Sequence, residues 1–190
     1  MITNVAILAS GNGSNAENIV RHFMSNPTVK VSLILTNSQK AYALQRARNL
    51  GIPCAYFSKE FWQDGKAVLN LLQTYNINFV VLAGFLAKVP NLILQAFPQR
   101  MVNIHPSLLP LHGGKGMYGD RVHEDVLRSG EKESGITIHY TSDVYDAGQI
   151  VAQYRCEVKP DDTVDKLATR VHALEYEYYP KVIERLLSSL

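Results

Sequence analysis

Two residues near the middle of the chain, Asn103 and His105, have the types and the spacing to act together on one reacting group. Side chains two apart on an extended strand point the same way, so an amide donor and an imidazole are aimed at one place. Pro106 and Pro110 follow. Each removes a backbone donor and restricts φ, so the chain leaves any regular ladder just after the pair. A polar pair at the carboxyl end of a buried strand is where an open α/β sheet carries its chemistry. Alone, such a histidine reads more readily as a satisfied structural residue than as a functional one. The elements around it have to decide.

Those elements alternate. The apolar run 5–9 predicts a central parallel strand covered on both faces. It opens into a glycine-rich turn, 10–15, where Ser14 and Glu17 predict a capping box. Ala16, Ile19, Val20, Phe23 and Met24 then form a helical stripe. Glycines let a backbone turn tightly and approach a ligand, and N–H groups at a helix start favour an anion. The turn lacks the glycine spacing of a dinucleotide site and the Gly-Lys-Ser/Thr of a P-loop, which favours a monophosphate. By itself it is equally an ordinary strand-to-helix turn.

Strands are predicted at 29–36, 53–57, 79–84, 134–141 and 149–157. Helices are predicted at 42–50, 59–75, 90–96, 120–128 and from about 163 to 187, the last broken or kinked at Pro180. This order predicts an α/β fold: a mainly parallel, twisted, Rossmann-like sheet with helices on both faces and late strands partly antiparallel. With 190 residues, 46% of them hydrophobic, one domain over 1–190 is expected. The strand at 134–141 alternates, with Ile136, Ile138 and Tyr140 on one face and Thr137, His139 and Thr141 on a polar one. The apolar segment 85–89 either walls a flat aromatic ligand or is a buried turn. The glycine-rich 111–119 reads as a mobile loop, a lid or a plain surface excursion. In the turn 142–148, Asp143 and Asp146 both also suit turn formation. The last helix shows an inward stripe of Val164, Leu167, Ala168, Val171, Leu174 and Tyr178. Glu175 shares it and so needs a partner.

Net charge is +2 without a basic stripe, which argues against nucleic-acid binding. Cys54 and Cys156 lie far apart with no Cys-x-x-Cys, as suits a reducing cytosol. The first residues lack a basic region and a long apolar region, and no stretch reaches the length of a membrane span, so a cytoplasmic location without membrane association is expected.

These motifs together resemble a family. The 10–15 loop, the strand end 82–85, the run 103–110 (Asn-Ile-His-Pro-Ser-Leu-Leu-Pro), the strand 135–139, the run 146–150 (Asp-Ala-Gly-Gln-Ile), Glu175 and the pair Tyr179-Pro180 occur in the order seen in folate-dependent glycinamide ribonucleotide formyltransferases. The resemblance covers nearly the whole chain. It implies transfer of the formyl group of 10-formyltetrahydrofolate, as co-substrate, to the amine of glycinamide ribonucleotide in purine synthesis. An amine attacking a formyl carbon makes an oxyanion that needs donors, and the departing nitrogen needs a proton. Asn103 is expected to donate to the oxyanion. His105, if cationic, donates to the oxyanion or the leaving nitrogen, and Asp146 helps keep it protonated against an ordinary pKa of about 6.5.

By the same resemblance the substrate phosphate sits on Gly13, Ser14 and Asn15 with Pro106 nearby, and Glu175 holds the amine end. The pterin lies against Leu86, Ala87, Lys88 and Val89, with Asn103 and the turn carrying Thr141 and Asp143. No metal is implied, and His112, His123 and Glu124 have no familiar ligand spacing. Two stretches depart from the family's usual pattern. Residues 113–120 are expanded, and Ala87 stands where a basic residue is common, with Lys88 following. A formyltetrahydrofolate deformylase shares the Asn, His and Asp, but those enzymes carry an extra N-terminal domain. A non-catalytic folate- or nucleotide-binding module is the other alternative. The expected assembly is a monomer or a homodimer.

Overall fold

The structure is a computed structural model and describes residues 2–189. Seven strands are hydrogen-bonded in the order β3-β2-β1-β4-β5-β6-β7. The chain forms two compact units, one from residues up to 102 and from 185 on, the other from residues 103–184.

In the first unit β1 (Thr3–Leu8) pairs in parallel with both β2 (Val29–Thr36) and β4 (Phe79–Leu82), and β2 pairs in parallel with β3 (Cys54–Tyr56). The strand order therefore reverses direction between β1 and β4, the point at which open α/β sheets form a crevice. Alternate residues sort the two faces. Ala6 and Leu8 of β1, Leu33 and Leu35 of β2, and Val80 and Leu82 of β4 share one core cluster. It is filled by Trp62 from α3 (Lys59–Asp64), Val68 and Leu72 from α4 (Lys66–Thr74), and Ile93 from α5 (Asn91–Ala96). Val5 and Ile7, fully buried, point to the opposite face. Right-handed crossovers place α1 (Ser14–Phe23) and α2 (Ala43–Asn49) there, because they carry the chain in the other direction across the sheet.

In the second unit, α6 (Asp120–Arg128) is followed by β6 (Glu133–Tyr140), which pairs antiparallel with β7 (Ile150–Glu157). α7 (Val164–Leu187) then runs through Pro180 without interruption. β5 (Met101–His105) spans the boundary between the units.

Four expectations are corrected. The helix expected at 59–75 is two helices, split at Gly65 with φ 69°, where an added Cβ would lie 3.1 Å from Pro90 Cβ. The capping box does not form: Gly13 is the N-cap of α1, Ser14 already lies inside the helix, and Glu17 turns to Arg21 and Arg46 instead. In α7, Tyr179 rather than Tyr178 is fully buried, and Val164 and Leu174 are only half-buried. No break occurs at Pro180, where α7 continues as one helix. On the polar side of β6, Thr137 and His139 are both buried. Thr137 is held in a saturated arrangement. Its hydroxyl donates to the Ser107 carbonyl at 2.7 Å and accepts from the Leu109 N–H and the Gln153 amide, each at 2.9 Å. That pins the segment that follows His105.

Candidate active site

The end of β5 brings Asn103 and His105 onto one side of the strand, as their spacing requires. His105 is 3% exposed. Its Nε2 lies 2.8 Å from the carbonyl oxygen of His112, and a carbonyl only accepts, so Nε2 carries the proton of that bond. Its Nδ1 lies 3.5 Å from Asp146 Oδ2. The same carboxylate oxygen accepts the Gly114 N–H at 2.9 Å, and Oδ1 lies 3.6 Å from His139 Nε2. Asp146 itself is in the left-handed region at φ 53°, a conformation that aspartate tolerates better than most residues.

His139 connects the amide to this pair. Its Nδ1 donates to the Tyr140 carbonyl at 2.9 Å, which leaves Nε2 of the neutral ring as an acceptor. Asn103 Nδ2 stands 3.2 Å from that nitrogen. One amide hydrogen of Asn103 is thereby used and the side chain is oriented, with its second hydrogen left for another acceptor. Gly148 makes the approach possible. A Cβ there would lie 1.6 Å from the Tyr140 oxygen and 3.3 Å from His139 Nδ1.

Burial acts against the cation at His105 and outweighs the opposing push of the Asp146 charge and the His112 carbonyl, so its pKa falls below 6.5. Asp146 is the reverse case. Burial raises its pKa, but the adjacent His139 ring, the His105 charge and the Gly114 N–H together carry it below the ordinary 3.8. Asp146 does favour the His105 cation as expected, yet not enough to overcome burial.

Glu175 is buried on α7, and its Oε2 is 3.0 Å from His172 Nδ1. That hydrogen bond raises the His172 pKa, and the Glu175 charge also favours protonation of His105. Pro106 is half-buried directly after His105. Thr141 is half-buried ahead of the turn in which Asp143 is exposed. Sequence reasoning missed His139 and His112 as members of the cluster. The first was visible as a polar residue on an alternating strand. The second acts through its backbone and has no side-chain signature.

In the first unit, Gly13 adopts φ 75°, and a Cβ on it would lie 2.6 Å from Ala43 Cβ, so glycine is required for the close approach of α2. As N-cap it offers no side chain to the first turn of α1, where Ser14 and Asn15 lie half-buried. Glu17 is ion-paired to Arg21 at 2.7 Å and to Arg46, and these bonds hold its carboxyl below the ordinary value. Arg46 also donates to the Asn12 carbonyl at 2.9 Å. The segment after β4 is anchored at its ends by buried Phe85 and Val89. Leu86 and Lys88 are exposed and Ala87 is half-buried between them. Its backbone is fixed twice: Leu86 N–H donates to Ser10 Oγ at 2.9 Å, and the Trp62 indole donates to the Lys88 carbonyl at 2.8 Å. Among the described residues no helix is long and apolar enough to cross a membrane.

A mainly parallel α/β sheet whose β5 end carries an oriented amide and a buried imidazole, with the Asp146 carboxylate of a later turn 3.5 Å from the ring, can donate to a developing oxyanion and move a proton. The formyl transferase profile matches residues 3–183, and the chain belongs to that family. It is 34% identical over 187 residues to the phosphoribosylglycinamide formyltransferase of Bacillus subtilis, covering 96% of this chain and 93% of that one. It is 41% identical over 186 residues to the chloroplastic phosphoribosylglycinamide formyltransferase of Arabidopsis thaliana. The chain spans 63% of that relative's length and 60% of that of the counterpart from Vigna unguiculata. Among solved structures, the phosphoribosylglycinamide formyltransferase of Bacillus halodurans superposes with a TM-score of 0.88 at 34% identity, covering 98% of this chain and 96% of that one.

Proposed function

We propose that this chain, working as one catalytic domain in the cytoplasm, transfers the formyl group of 10-formyltetrahydrofolate to the amine of glycinamide ribonucleotide. The observation that carries the proposal is the fixed state of the two polar residues at the end of β5. Asn103 is oriented by His139, and His105 is committed at Nε2 to the His112 carbonyl. Asn103 therefore has one amide hydrogen for the formyl oxygen as negative charge develops there. His105 exchanges protons through Nδ1 alone. As the amine forms its bond to the formyl carbon it sheds a proton to Nδ1. The imidazolium is stabilised by Asp146 at 3.5 Å and returns that proton to the folate nitrogen whose bond to the same carbon breaks. His105 ends in the state in which it began.

Gly13, Ser14 and Asn15 are assigned to the substrate phosphate, since the start of α1 has no side-chain cap at Gly13 and the Glu17 charge is neutralised by two arginines. Leu86, Ala87, Lys88 and Val89, with Thr141 and Asp143, are assigned to the pterin. The exposed middle of the first segment and its pinned backbone support that assignment. Pro106 and Glu175 are assigned to the amine end. The test follows folate absorbance with purified protein and formyl donor, with and without the ribonucleotide, alongside His105→Ala. Turnover that requires the ribonucleotide and collapses in the variant supports the transferase. Donor loss without acceptor would instead mark a hydrolase, and silence in both arms would refute the proposal.

A further inference from the structure

The glycine-rich segment after Pro110 is the part of the chain the family resemblance leaves without a role, and its first residues touch both ionisable members of the site. His112 presents its carbonyl to His105 Nε2 at 2.8 Å, and Gly114 presents its N–H to Asp146 Oδ2 at 2.9 Å. Gly113 lies between them, packed so closely that a Cβ there would sit 2.4 Å from Leu109 Cδ2. Three consecutive residues thus span the imidazole–carboxylate pair.

His112 is also held by its side chain. Its Nδ1 is 2.6 Å from Asp125 Oδ2 on α6, and its Nε2 is 3.8 Å from Glu131 Oε1. The bond to His112 holds the Asp125 carboxyl below the usual range, so Asp125 is the acceptor and Nδ1 of His112 the donor. The His112 backbone sits at φ 56°, a left-handed conformation that a histidine adopts only when its surroundings hold it there. The ring is the visible anchor.

We propose that His112 is a positioning residue: Asp125 grips its ring, the ring fixes its carbonyl, and the carbonyl dictates which nitrogen of His105 carries the proton. Remove the anchor and the His105 proton is no longer confined to Nε2. The Asp146 and Glu175 charges and the His139 ring that face His105 then compete to place it. A His105 with its proton on Nδ1 presents no base to the reacting amine. The consequence for turnover rests on the formyl-transfer reading; the consequence for the tautomer does not.

The experiment is ¹⁵N histidine NMR at about pH 8, where a His105 of lowered pKa is neutral, with His105→Gln used to assign its signals. Steady-state kinetics run in parallel. His112→Gly keeps the left-handed backbone and deletes the anchor. His112→Asn tolerates the same backbone and retains a short donor toward Asp125. The unmodified protein shows His105 as the Nε2–H tautomer, and His112→Gly shows a mixture with Nδ1–H. kcat falls about 10- to 100-fold with little change in KM, and His112→Asn recovers most of that loss. If His112→Gly does not fold, Asp125→Asn is read in its place with the same expected change in tautomer. An unchanged His105 tautomer in the anchorless variant overturns the proposal, whether or not the protein transfers formyl groups. A changed tautomer with undiminished kcat overturns the link to catalysis.

Discussion

Replacing Asp146 with asparagine isolates one charge in an otherwise retained geometry. Asparagine tolerates the left-handed φ of 53°, and its amide oxygen can still accept the Gly114 N–H. What disappears is the anion 3.5 Å from His105 Nδ1. At that separation an effective dielectric of about 20 gives a gross attraction of about 5 kcal/mol. Desolvation of both groups cuts the net effect to what an adjacent opposite charge usually produces, about 1–3 pH units or about 1.4–4 kcal/mol. Burial already holds the His105 pKa below 6.5, so the variant should titrate lower still, with the imidazolium at neutral pH depleted about 10- to 1000-fold. A step that passes through the imidazolium slows in the same proportion. The assay pairs NMR titration of the His105 ring with kcat across pH. An unchanged or raised His105 titration in the variant refutes the electrostatic reasoning. An unchanged kcat alongside a lowered titration removes the imidazolium from the reaction.

Three further outcomes follow from the geometry. Asn103→Ala removes the donor oriented by His139 and should lower kcat about 10²- to 10³-fold with KM for the ribonucleotide nearly unchanged, as steady-state kinetics will read. Gly13→Ala forces a Cβ to 2.6 Å from Ala43 Cβ at a φ of 75°. It should cost about 1–3 kcal/mol in denaturant unfolding and raise KM for the phosphorylated substrate more than for the folate. His105 and His123 both have pKa values lowered by burial, so the unfolded chain binds more protons than the folded one as pH falls below 6.5. Their stabilisation is complete above that value and lost below it, while His172, raised by Glu175, acts in the opposite sense. The melting temperature should drop between about pH 7.5 and about 5.5, and His123→Gln should flatten that slope. A melting temperature that rises on acidification counts against the assignment.

How much of this was legible beforehand depends on whether the determining interaction was local. β2 and α6 begin and end where their patterns predict, because apolar runs and helix periodicity are read within a dozen residues. The Asn103–His105 pairing was readable for the same reason, since strand alternation is a property of three consecutive residues. The split at Gly65 was not, because apolar spacing continues on either side and the constraint comes from Pro90. The polar face of β6 is legible from its alternation, but what it packs against is not. Its buried partners come from Ser107, Leu109 and Asn103, some thirty residues away, and no short window contains them. Asp146 emerged only through family resemblance, its turn-forming role being equally plausible from composition. His112 contributes a carbonyl, which every residue has.

Ser10 gives the first unit a property that neither of its loops has alone. Its hydroxyl donates to Asn37 Oδ1 at 2.7 Å and accepts the Leu86 N–H at 2.9 Å, while its own N–H donates to the Gly84 carbonyl at 3.0 Å. One small side chain thus ties together the turns that follow β1, β2 and β4. A ligand that stills the turn after β1 removes part of the freedom of the segment after β4, so the next ligand meets a surface already partly ordered. Such coupling is reciprocal by thermodynamic necessity. Ligands seated on these two turns would then strengthen each other's binding through the protein, in addition to any direct contact between them, each acting as an effector of the other through a single serine oxygen.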